Sequence, residues 1–468
     1  MRPSRRPPLA CALLLSATAL CACVDLAPPY QRPSAPIPDA WPARSAALAG
    51  AAIDAPDIGW TDVIQDARLR KVVGLAIENS RDLRAALLRV QDARAQYRVQ
   101  DAARLPAIAA DASVVRSSTS GVTSNTATVG LGLAAYEIDL FGRVKNASDA
   151  ALHQYLATSE GARAARVALV AAVADAWLTL GADGESQRLN VETLALDARS
   201  LELNQRMHAL GAIPALPVLQ AQAAWEATRG AVAAGRTLVQ QDRDALVLLV
   251  GADVPEPWLP LATIPGDAAA LFDAPPGVPA RVLQQRPDVL AAEHQLQAAQ
   301  LEIGVARAAY FPSITLTANA GRESPGLARL FRSGAGTWSL GPGISLPILD
   351  GGALAAGVDS ARSQRDIALA SYEKVLQASF AEVADVLAVR DSLAERLQAQ
   401  EAQRRDAEAA WRDADASYRH GGLGWLPVLD ARRSLHATLQ SGIALNLIEQ
   451  QNRIALYKAL GGGWKESN

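Results

Sequence analysis

The chain has 468 residues, of which 50% are hydrophobic and only 5% aromatic, and its formal net charge is −3. Because acidic and basic side chains nearly balance, there is no excess of positive charge for nucleic acid, and no nucleic-acid partner is expected. Much of the hydrophobicity comes from alanine, which favours closely packed helices over a core filled with aromatic side chains.

Residues 1–22 are predicted to be a lipoprotein signal peptide. A positively charged start precedes an apolar stretch from Leu9 to Leu20, which is too short for a membrane span of roughly 20 apolar residues. Ala22 then precedes Cys23, as a small residue precedes the acylated cysteine in the bacterial lipoprotein box. Cleavage there would leave Cys23 as the single cysteine, so the mature chain could form no internal disulfide. The alternative is an ordinary secretory signal with incidental cysteines.

Residues 23–60 are predicted to be an extended strap behind the acylated N-terminus. The segment is rich in alanine and proline, including Pro28-Pro29 and Pro42, and repeated prolines favour an extended backbone over a packed domain. Val24 follows Cys23, where many bacteria use aspartate to retain lipoproteins at the inner membrane. Several acyl chains would hold this end firmly in an outer-membrane leaflet. No cofactor is expected apart from covalent lipid on Cys23.

Two pairs of strands are predicted, one pair in each half of the chain. Residues Ser313 to Ala320 alternate polar and apolar side chains, the pattern of a sheet with two different environments. Four strands are too few for a closed membrane barrel, which needs about eight, so spanning strands would have to share a barrel with other copies. Soluble hairpins that cap a helical bundle are the alternative. The four predicted strands are Ile108–Ser117, Ala127–Ile138, Ser313–Gly321 and Thr337–Leu346, with a polar linker from Ser117 to Thr126.

Each half also contains one very long predicted helix, Arg143 to about Ala209 and Ala353 to Tyr418. Both stretches are nearly free of helix breakers, and apolar positions in the second step by threes and fours, as in coiled coils. Roughly 65 residues at about 1.5 Å each would reach about 100 Å. Residues 164–180 are apolar enough to resemble a membrane helix, but Arg166 and Asp175 interrupt them, which favours a packed helix.

Both long helices are expected to end in a Gly/Pro turn that leads into a shorter helix. The turns are Gly211 to Pro214 and Gly421 to Gly424, and the shorter helices run from about 217 to 249 and from about 427 to 460. Proline in the first helical turn is favourable because its missing N–H would have no partner there. Each half of the chain therefore contains a helical hairpin with a defined tip.

The two halves are copies of one unit. Pro217 and Pro427 are 210 residues apart (427 − 217), as are Gly251 and Gly461 (461 − 251), within matching motifs. We therefore divide the chain into the signal peptide 1–22, the strap 23–60, repeat 1 at 61–251, a Pro-rich linker at 252–280, repeat 2 at 281–464 and a tail at 465–468.

The motifs along the mature chain resemble the outer-membrane factor (TolC-like) family of tripartite efflux systems, in its NodT-type lipoprotein branch. The resemblance covers nearly the whole mature chain in order, and the spacing of the motifs within a duplication makes it specific. The segments that carry it are Ala27-Pro-Pro-Tyr-Gln-Arg-Pro33, Tyr136-Glu-Ile-Asp-Leu-Phe-Gly-Arg143, Gln285-Arg-Pro-Asp-Val289, Ala309-Tyr-Phe-Pro312, Leu346-Pro-Ile-Leu-Asp-Gly-Gly352 and Leu456-Tyr-Lys-Ala-Leu-Gly-Gly-Gly-Trp464.

This resemblance implies a mainly α fold with β strands and an internal two-fold repeat. A homotrimer would form an α-helical barrel of long coiled-coil-like helices and share a transmembrane β-barrel of about twelve strands, four from each chain. The protein would be a passive exit duct in the outer membrane, lipid-anchored, with its helical tunnel in the periplasm. Its implied partners are a periplasmic adaptor protein, an inner-membrane transporter of the resistance-nodulation-division (RND) type, and outer-membrane lipid.

The resemblance also implies a periplasmic gate at the helical tips. Asp430 matches an aspartate that lines the entrance in the family, and Tyr418 matches a tyrosine of the gate's hydrogen-bond network. Leu423 stands where a gate arginine can occur and Pro427 where a second aspartate can occur. Hydrophobic contact of Leu423, Trp425 and Leu426 is therefore the expected closure. The alternative is that Asp430 is only a helix-start carboxylate favoured by the helix dipole. The implied adaptor-contact positions are Gly211, Pro217, Gly421, Gly424 and Pro427.

Three other functions compete with an efflux duct as explanations of this sequence. No histidine lies in a metal-ligand spacing with cysteine or carboxylates, so no metal site, catalytic residue or enzyme activity is expected. A periplasmic coiled-coil adaptor would lack barrel strands. An outer-membrane duct for type I-like protein secretion keeps the same fold, and the lipoprotein box together with the Ala-Leu-Gly-Gly-Gly-Trp464 ending favours small-molecule efflux over it. The sequence does not predict the substrate, because drugs, metal ions and other small toxic compounds would all fit.

Overall fold

A computed structural model describes residues 24–38, 59–261 and 280–462. The chain divides into two compact units, each built from both halves of the sequence. Among the described residues, unit 1 comprises 24–35, Leu88–Ser159 and Leu290–Lys374, and unit 2 comprises 36–38, 59–87, 160–261, 280–289 and 375–462. The predicted signal peptide, Cys23, the tail and parts of the strap and linker lie outside the described residues. The division into sequence domains stays a prediction.

The predicted helices are present with nearly the predicted bounds. The two long helices have 67 residues each and end at Ala209 and Arg419, two residues before the first glycine of each predicted turn. The shorter helices that follow begin two residues earlier than predicted, at Ala215 and Trp425. The helices are α1 (Trp60–Val63), α2 (Ala67–Asn79), α3 (Arg81–Ala102), α4 (Arg143–Ala209), α5 (Ala215–Val250), α6 (Pro287–Ala308), α7 (Ala353–Arg419) and α8 (Trp425–Ala459).

The internal repeat is confirmed in the element order. Helices α3 and α6 have 22 residues each, and each leads into two strands, a 67-residue helix and a shorter helix. The starts of α4 and α7 are 210 residues apart (353 − 143), as are those of α5 and α8 (425 − 215). The duplication seen in the motifs is therefore a duplication of structure.

Unit 1 contains one antiparallel sheet of four strands in the order β1-β2-β3-β4. The strands are β1 (Ile108–Thr119), β2 (Val122–Glu137), β3 (Ser313–Ser324) and β4 (Gly336–Ser345). The predicted linker from Ser117 to Thr126 is wrong, because β1 and β2 continue through it to a two-residue turn. Ser120 and Gly121 have φ values of 53° and 84°, which suit a tight turn of type I′. Hydroxyl pairs hold the polar strand ends together, as between Ser117 Oγ and Ser124 Oγ at 2.9 Å.

The register gives this sheet one apolar and one polar face. In β3, Ile314 and Leu316 lie opposite Ile344 and Pro342 of β4, whereas Thr315 and Thr317 lie opposite glycines. The apolar face continues across β1 and β2, and Trp338 and Ile344 on it are 81% and 73% exposed. An apolar face toward lipid and a polar face toward water are typical of transmembrane β-barrels.

Unit 2 contains the main hydrophobic core, built from several helices. Trp177 donates its Nε1–H to the carbonyl oxygen of Trp258 at 2.9 Å. Gly251 ends α5 in a left-handed conformation (φ 75°), and a Cβ atom there would lie 2.6 Å from the carbonyl oxygen of Asn79. Side chains buried in this core include Val72 and Val73 of α2, Val173, Trp177 and Leu178 of α4, Leu246 and Val250 of α5, and Ile454 and Tyr457 of α8.

Helix α4 is also the one described helix that is long and apolar enough to cross a membrane by length and composition. Of its most apolar 18-residue window, 56% is buried inside the protein. Burial against other helices accounts for the apolar composition, so a packed helix explains the stretch better than a membrane span.

Candidate gate at the helical tips

The two tips lie in unit 2 and have the same backbone geometry. After α4, the Gly211 N–H donates to the carbonyl of His208 at 2.9 Å, and after α7 the Gly421 N–H donates to that of Tyr418 at 3.0 Å. Both glycines have a φ of 74°, a left-handed conformation that favours glycine at the end of a helix. The next helix begins after Pro214 or Gly424, whose φ and ψ values agree within about one degree. The two tips are therefore equivalent turns.

The second tip stands on a buried aromatic cluster. Trp425 is 8% exposed, and its ring lies 5.4 Å from that of Tyr418, measured between centroids. The Tyr418 hydroxyl donates to Met207 Sδ at 3.6 Å, and burial raises the pKa of this tyrosine. Trp425 was expected to close the entrance with Leu423 and Leu426, but it is buried within its own protomer. Its indole ring packs beneath the turn, against Tyr418.

A buried ion pair fixes the start of α8 against α4. Arg432 Nη2 lies 2.9 Å from Asp197 Oδ1, and the two residues are only 9% and 6% exposed. Thr228 of α5 donates its hydroxyl to the other oxygen of Asp197 at 2.6 Å. Desolvation lowers the pKa of Arg432, and the negative charge of Asp197 partly offsets it. Three helices are thus joined through one satisfied carboxylate.

Asp430 and two leucines are presented on the outside of this tip. Asp430 is exposed and has no side-chain partner among the described residues. It is the sixth residue of α8, beyond the first turn, so it is poorly placed for the helix-dipole role that was the alternative explanation. Leu423 and Leu426 are 40% and 50% exposed. The structure therefore brings Tyr418 into the supporting cluster and leaves Asp430, Leu423 and Leu426 free to contact other molecules.

The predicted adaptor-contact positions are also accessible. Gly211, Gly421, Gly424 and Pro427 are exposed, and Pro217 is half-buried. Space around the three glycines is open, since a Cβ atom on any of them would meet no atom within 4 Å. Their roles stay predictions.

Sequence reasoning did not find the supporting residues Met207, Asp197, Thr228 and Arg432. Asp197 and Arg432 are separated by 235 positions (432 − 197), so no local pattern joins them. The repeat offset provides one usable signal, because position 207 matches position 417 at the end of the other long helix. In the part of the chain that the structure describes, no group of three or more His, Cys, Asp or Glu side chains could hold a metal ion.

Comparison with known proteins identifies the family. A sequence model of the family described as outer membrane efflux protein matches residues 72–252 and 278–462, which is most of the chain. The chain belongs to the outer membrane efflux protein family. The matched ranges correspond to the two structural repeats, and the resemblance to the outer-membrane factors is thereby confirmed.

Two relatives from this family extend over nearly the full length. Outer membrane protein OprJ of Pseudomonas aeruginosa is 41% identical over 473 residues, covering 99% of this chain and 97% of OprJ. The probable efflux pump outer membrane protein TtgC of Pseudomonas putida is 40% identical over 453 residues, covering 94% of this chain and 93% of TtgC. These relatives are outer-membrane and transport proteins. The adaptor alternative is therefore excluded.

Solved structures of membrane proteins show the same fold. A membrane protein from Pseudomonas aeruginosa superposes with a TM-score of 0.87 at 38% identity, covering 95% of this chain and 99% of that one. The open state of the MtrE outer membrane channel of Neisseria gonorrhoeae gives a TM-score of 0.83 at 35% identity, covering 94% and 99%. The predicted fold class is confirmed. The protein is an outer-membrane channel that serves as the exit duct of an efflux pump.

Proposed function

We propose that the chain forms a homotrimeric duct whose periplasmic entrance is the second helical tip, with Asp430 as its charged constriction. The observation that carries the proposal is the contrast at this tip between a buried base and an exposed carboxylate with no side-chain partner among the described residues. Three copies of Asp430 around one axis would repel one another and attract cations into the opening. Leu423 and Leu426 would close the remaining gap by apolar contact, and Tyr418 holds the base of the tip.

The same proposal gives the duct its partners. A periplasmic adaptor protein docks on the two equivalent tips, at Gly211 and Pro217 of the first and at Gly421, Gly424 and Pro427 of the second. Open space around the glycines supports this assignment, since a partner's backbone could approach closely there. The adaptor joins the duct to an inner-membrane transporter of the RND type, which supplies the energy. Small toxic compounds or drugs then pass through the duct passively.

Lipid on Cys23 completes the proposed assembly. The acylated cysteine anchors the N-terminus in the outer membrane, and the strap connects it to the helices. The proposal assigns the chain no catalytic step and no bound cofactor. Its proposed role is the passive conduction of small compounds.

Single-channel conductance of the purified full-length protein in planar bilayers tests the gate. We expect a small conductance that divalent cations block, because the carboxylates concentrate cations at the constriction. Asp430→Ala should raise the conductance and weaken the cation block several-fold. The matched control is Asp391→Ala, which removes an exposed carboxylate from the middle of α7 and should change neither property. Unchanged conductance and unchanged block in Asp430→Ala would show that the constriction lies elsewhere.

A further inference from the structure

The first described residues after Cys23 are fastened to the start of α4, within unit 1. The Val24 N–H donates to the carbonyl of Leu140 at 3.1 Å. The carboxylate of Asp25 lies 3.0 Å from Lys145 Nζ and accepts from Asn146 Nδ2 at 2.9 Å. These contacts fix the position of Val24 and Asp25, the two residues that follow Cys23 in the sequence.

A small cavity shares one residue, Leu140, with this fixed end. Leu140, whose carbonyl holds Val24, is one of its lining residues, and the cavity has a volume of about 110 Å³. Phe141 and Phe311 form an apolar part of its wall, with their rings stacked at 4.7 Å between centroids. Ile138 lines it too and is 40% exposed.

Charged groups line another side of the same cavity. Arg143 donates from Nε to Glu137 Oε1 at 2.7 Å and pairs through Nη2 with Oε2, and both residues are lining residues. The Asp139 carboxylate accepts the backbone N–H of Lys145 at 2.7 Å. The cavity thus has an apolar wall and a polar wall, which suits a group that carries both ester oxygens and methylenes.

The cavity lies where the strands join the helices. Glu137 ends β2, Ser313 begins β3 and Ser345 ends β4, and all three line it. The apolar face of this sheet is the lipid-facing surface in a transmembrane barrel, so its helix-side end is where the acyl region of one leaflet begins. A group bound here would pass directly from protein into the bilayer.

We propose that this cavity seats the proximal part of the lipid on Cys23, the glyceryl ester and the first methylenes of its acyl chains. The proposal rests on the lipid anchor proposed above. A trans peptide bond sets neighbouring Cα atoms about 3.8 Å apart, so the lipid begins within a few ångströms of the Leu140 carbonyl. At about 110 Å³ the cavity is far smaller than the roughly 300–1,000 Å³ that enclose a drug-sized ligand, so the rest of each chain continues into the leaflet.

The covalent lipid is favoured over a free phospholipid as the occupant. Both offer the same ester and acyl chemistry, but the lipid on Cys23 is tethered next to the cavity. Because the tether is short, the effective concentration of the lipid at the cavity is in the millimolar range. The hydrogen bond at Val24 restricts the positions that the lipid can reach still further. The function of the cavity is then to hold the anchor in register with the ends of the strands.

Photocrosslinking in the full-length protein tests the occupant. We would place p-benzoylphenylalanine at Phe311 or at Ile138, irradiate membranes that contain the protein, and identify adducts by mass spectrometry. The expected product joins the labelled position to an acyl chain of the N-terminal lipopeptide that begins at Cys23. Tyr310 is the matched control, because it is an exposed aromatic neighbour of Phe311 that does not line the cavity.

Each result of the crosslinking experiment either supports or overturns the proposal. Adducts of the lipopeptide that are several-fold more abundant at 311 and 138 than at 310 support the proposal. Adducts to phospholipid alone, with the lipopeptide recovered unmodified, overturn it, as do equal yields at 310 and 311. A mature chain without lipid on Cys23 would instead refute the proposed anchor itself, which the mass of the N-terminal peptide reveals without irradiation.

Discussion

At the scale of single residues, Asp175 is an acid in an unfavourable place. It lies on α4 beside the main core of unit 2, and its Oδ1 is buried with no hydrogen-bond partner among the described residues. Burial raises its pKa from an ordinary 3.8 to about 6, although the positive charge of Lys458 lowers it in part. At neutral pH the folded protein therefore carries an ionised carboxylate that its surroundings disfavour.

Asp175→Asn should stabilise the protein at neutral pH. The pKa of Asp175 is higher in the folded state than in the unfolded state. Its protonated form therefore contributes fully to the free energy of unfolding below about pH 4, and this contribution is lost as the pH rises through about 6. After allowance for partial exposure, we expect a gain of about 1–2 kcal/mol at pH 7 that nearly vanishes at pH 4. Thermal unfolding in detergent at both pH values measures it, with Asp391→Asn as an exposed control. A lower Tm for Asp175→Asn at pH 7 would show that Lys458 makes the carboxylate stabilising.

Residue patterns in the sequence predicted some of these buried charges but not others. Asp175 and Arg166 were visible as interruptions of an apolar stretch, and they correctly favoured a packed helix over a membrane span. The pairing of Arg432 with Asp197 was not visible, because charged residues are common on helices and no local spacing marks the pair that becomes buried. Such pairs arise from the tertiary packing of distant segments.

At the scale of elements, the described part of the strap packs closely against α6 at a glycine. A Cβ atom at Gly304 of α6 would lie 2.8 Å from both Cα and Cβ of Ala27 and 2.7 Å from Asn146 Nδ2. Farther along the strap, Tyr30 and Arg32 both bind the buried Glu293, with the Tyr30 hydroxyl donating at 3.0 Å. The close approach at Gly304 lets the strap lie flat against the helix.

Gly304→Ala should loosen the strap. Replacing glycine by alanine inside a helix normally stabilises it by about 1 kcal/mol, but here the added methyl group would push Ala27 away. We expect a lower Tm and several-fold faster chymotryptic cleavage after Tyr30. Gly357→Ala on α7 is the matched control, since its Cβ would meet nothing within 4 Å, and it should leave cleavage unchanged. Equal cleavage of the two variants would mean that Ala27 moves without freeing the strap.

The elements themselves were largely predictable from the sequence. Gly and Pro residues mark the ends of α4 and α7, and the absence of helix breakers between them fixes their length. The first strand pair is present as predicted, but the linker from Ser117 to Thr126 is wrong. Its serines and threonines suggest a loop, whereas in the sheet such residues pair across β1 and β2 through their hydroxyls. Residue identity alone did not separate a polar strand end from a loop, since both expose their side chains to water.

At the scale of the whole molecule, the sheet has two long free edges within the described chain. Strand β1 pairs only with β2, and β4 pairs only with β3. One side of each outer strand therefore has no hydrogen-bonded partner strand among the described residues. Unpaired N–H and C=O groups cannot remain in the hydrocarbon core of a membrane. The direction of the strands alternates, so β4 of one protomer can continue the antiparallel order with β1 of the next.

Cysteines on the two edges should therefore join protomers. Ser113→Cys in β1, combined in turn with single cysteines from Thr337 to Ile344 in β4, should give covalent dimers and trimers on oxidation at the positions in register. A disulfide needs Cα atoms within about 7 Å, whereas three strand spacings of about 4.8 Å separate β1 from β4 within one sheet. Each single cysteine variant controls for other contacts, and the native cysteines all lie at or before position 23. Electrophoresis without reductant measures the covalent dimers and trimers.

A scan of β4 that yields only monomers would mean that these edges do not meet, because a closed barrel of about twelve strands requires β1 to pair with β4 of its neighbour.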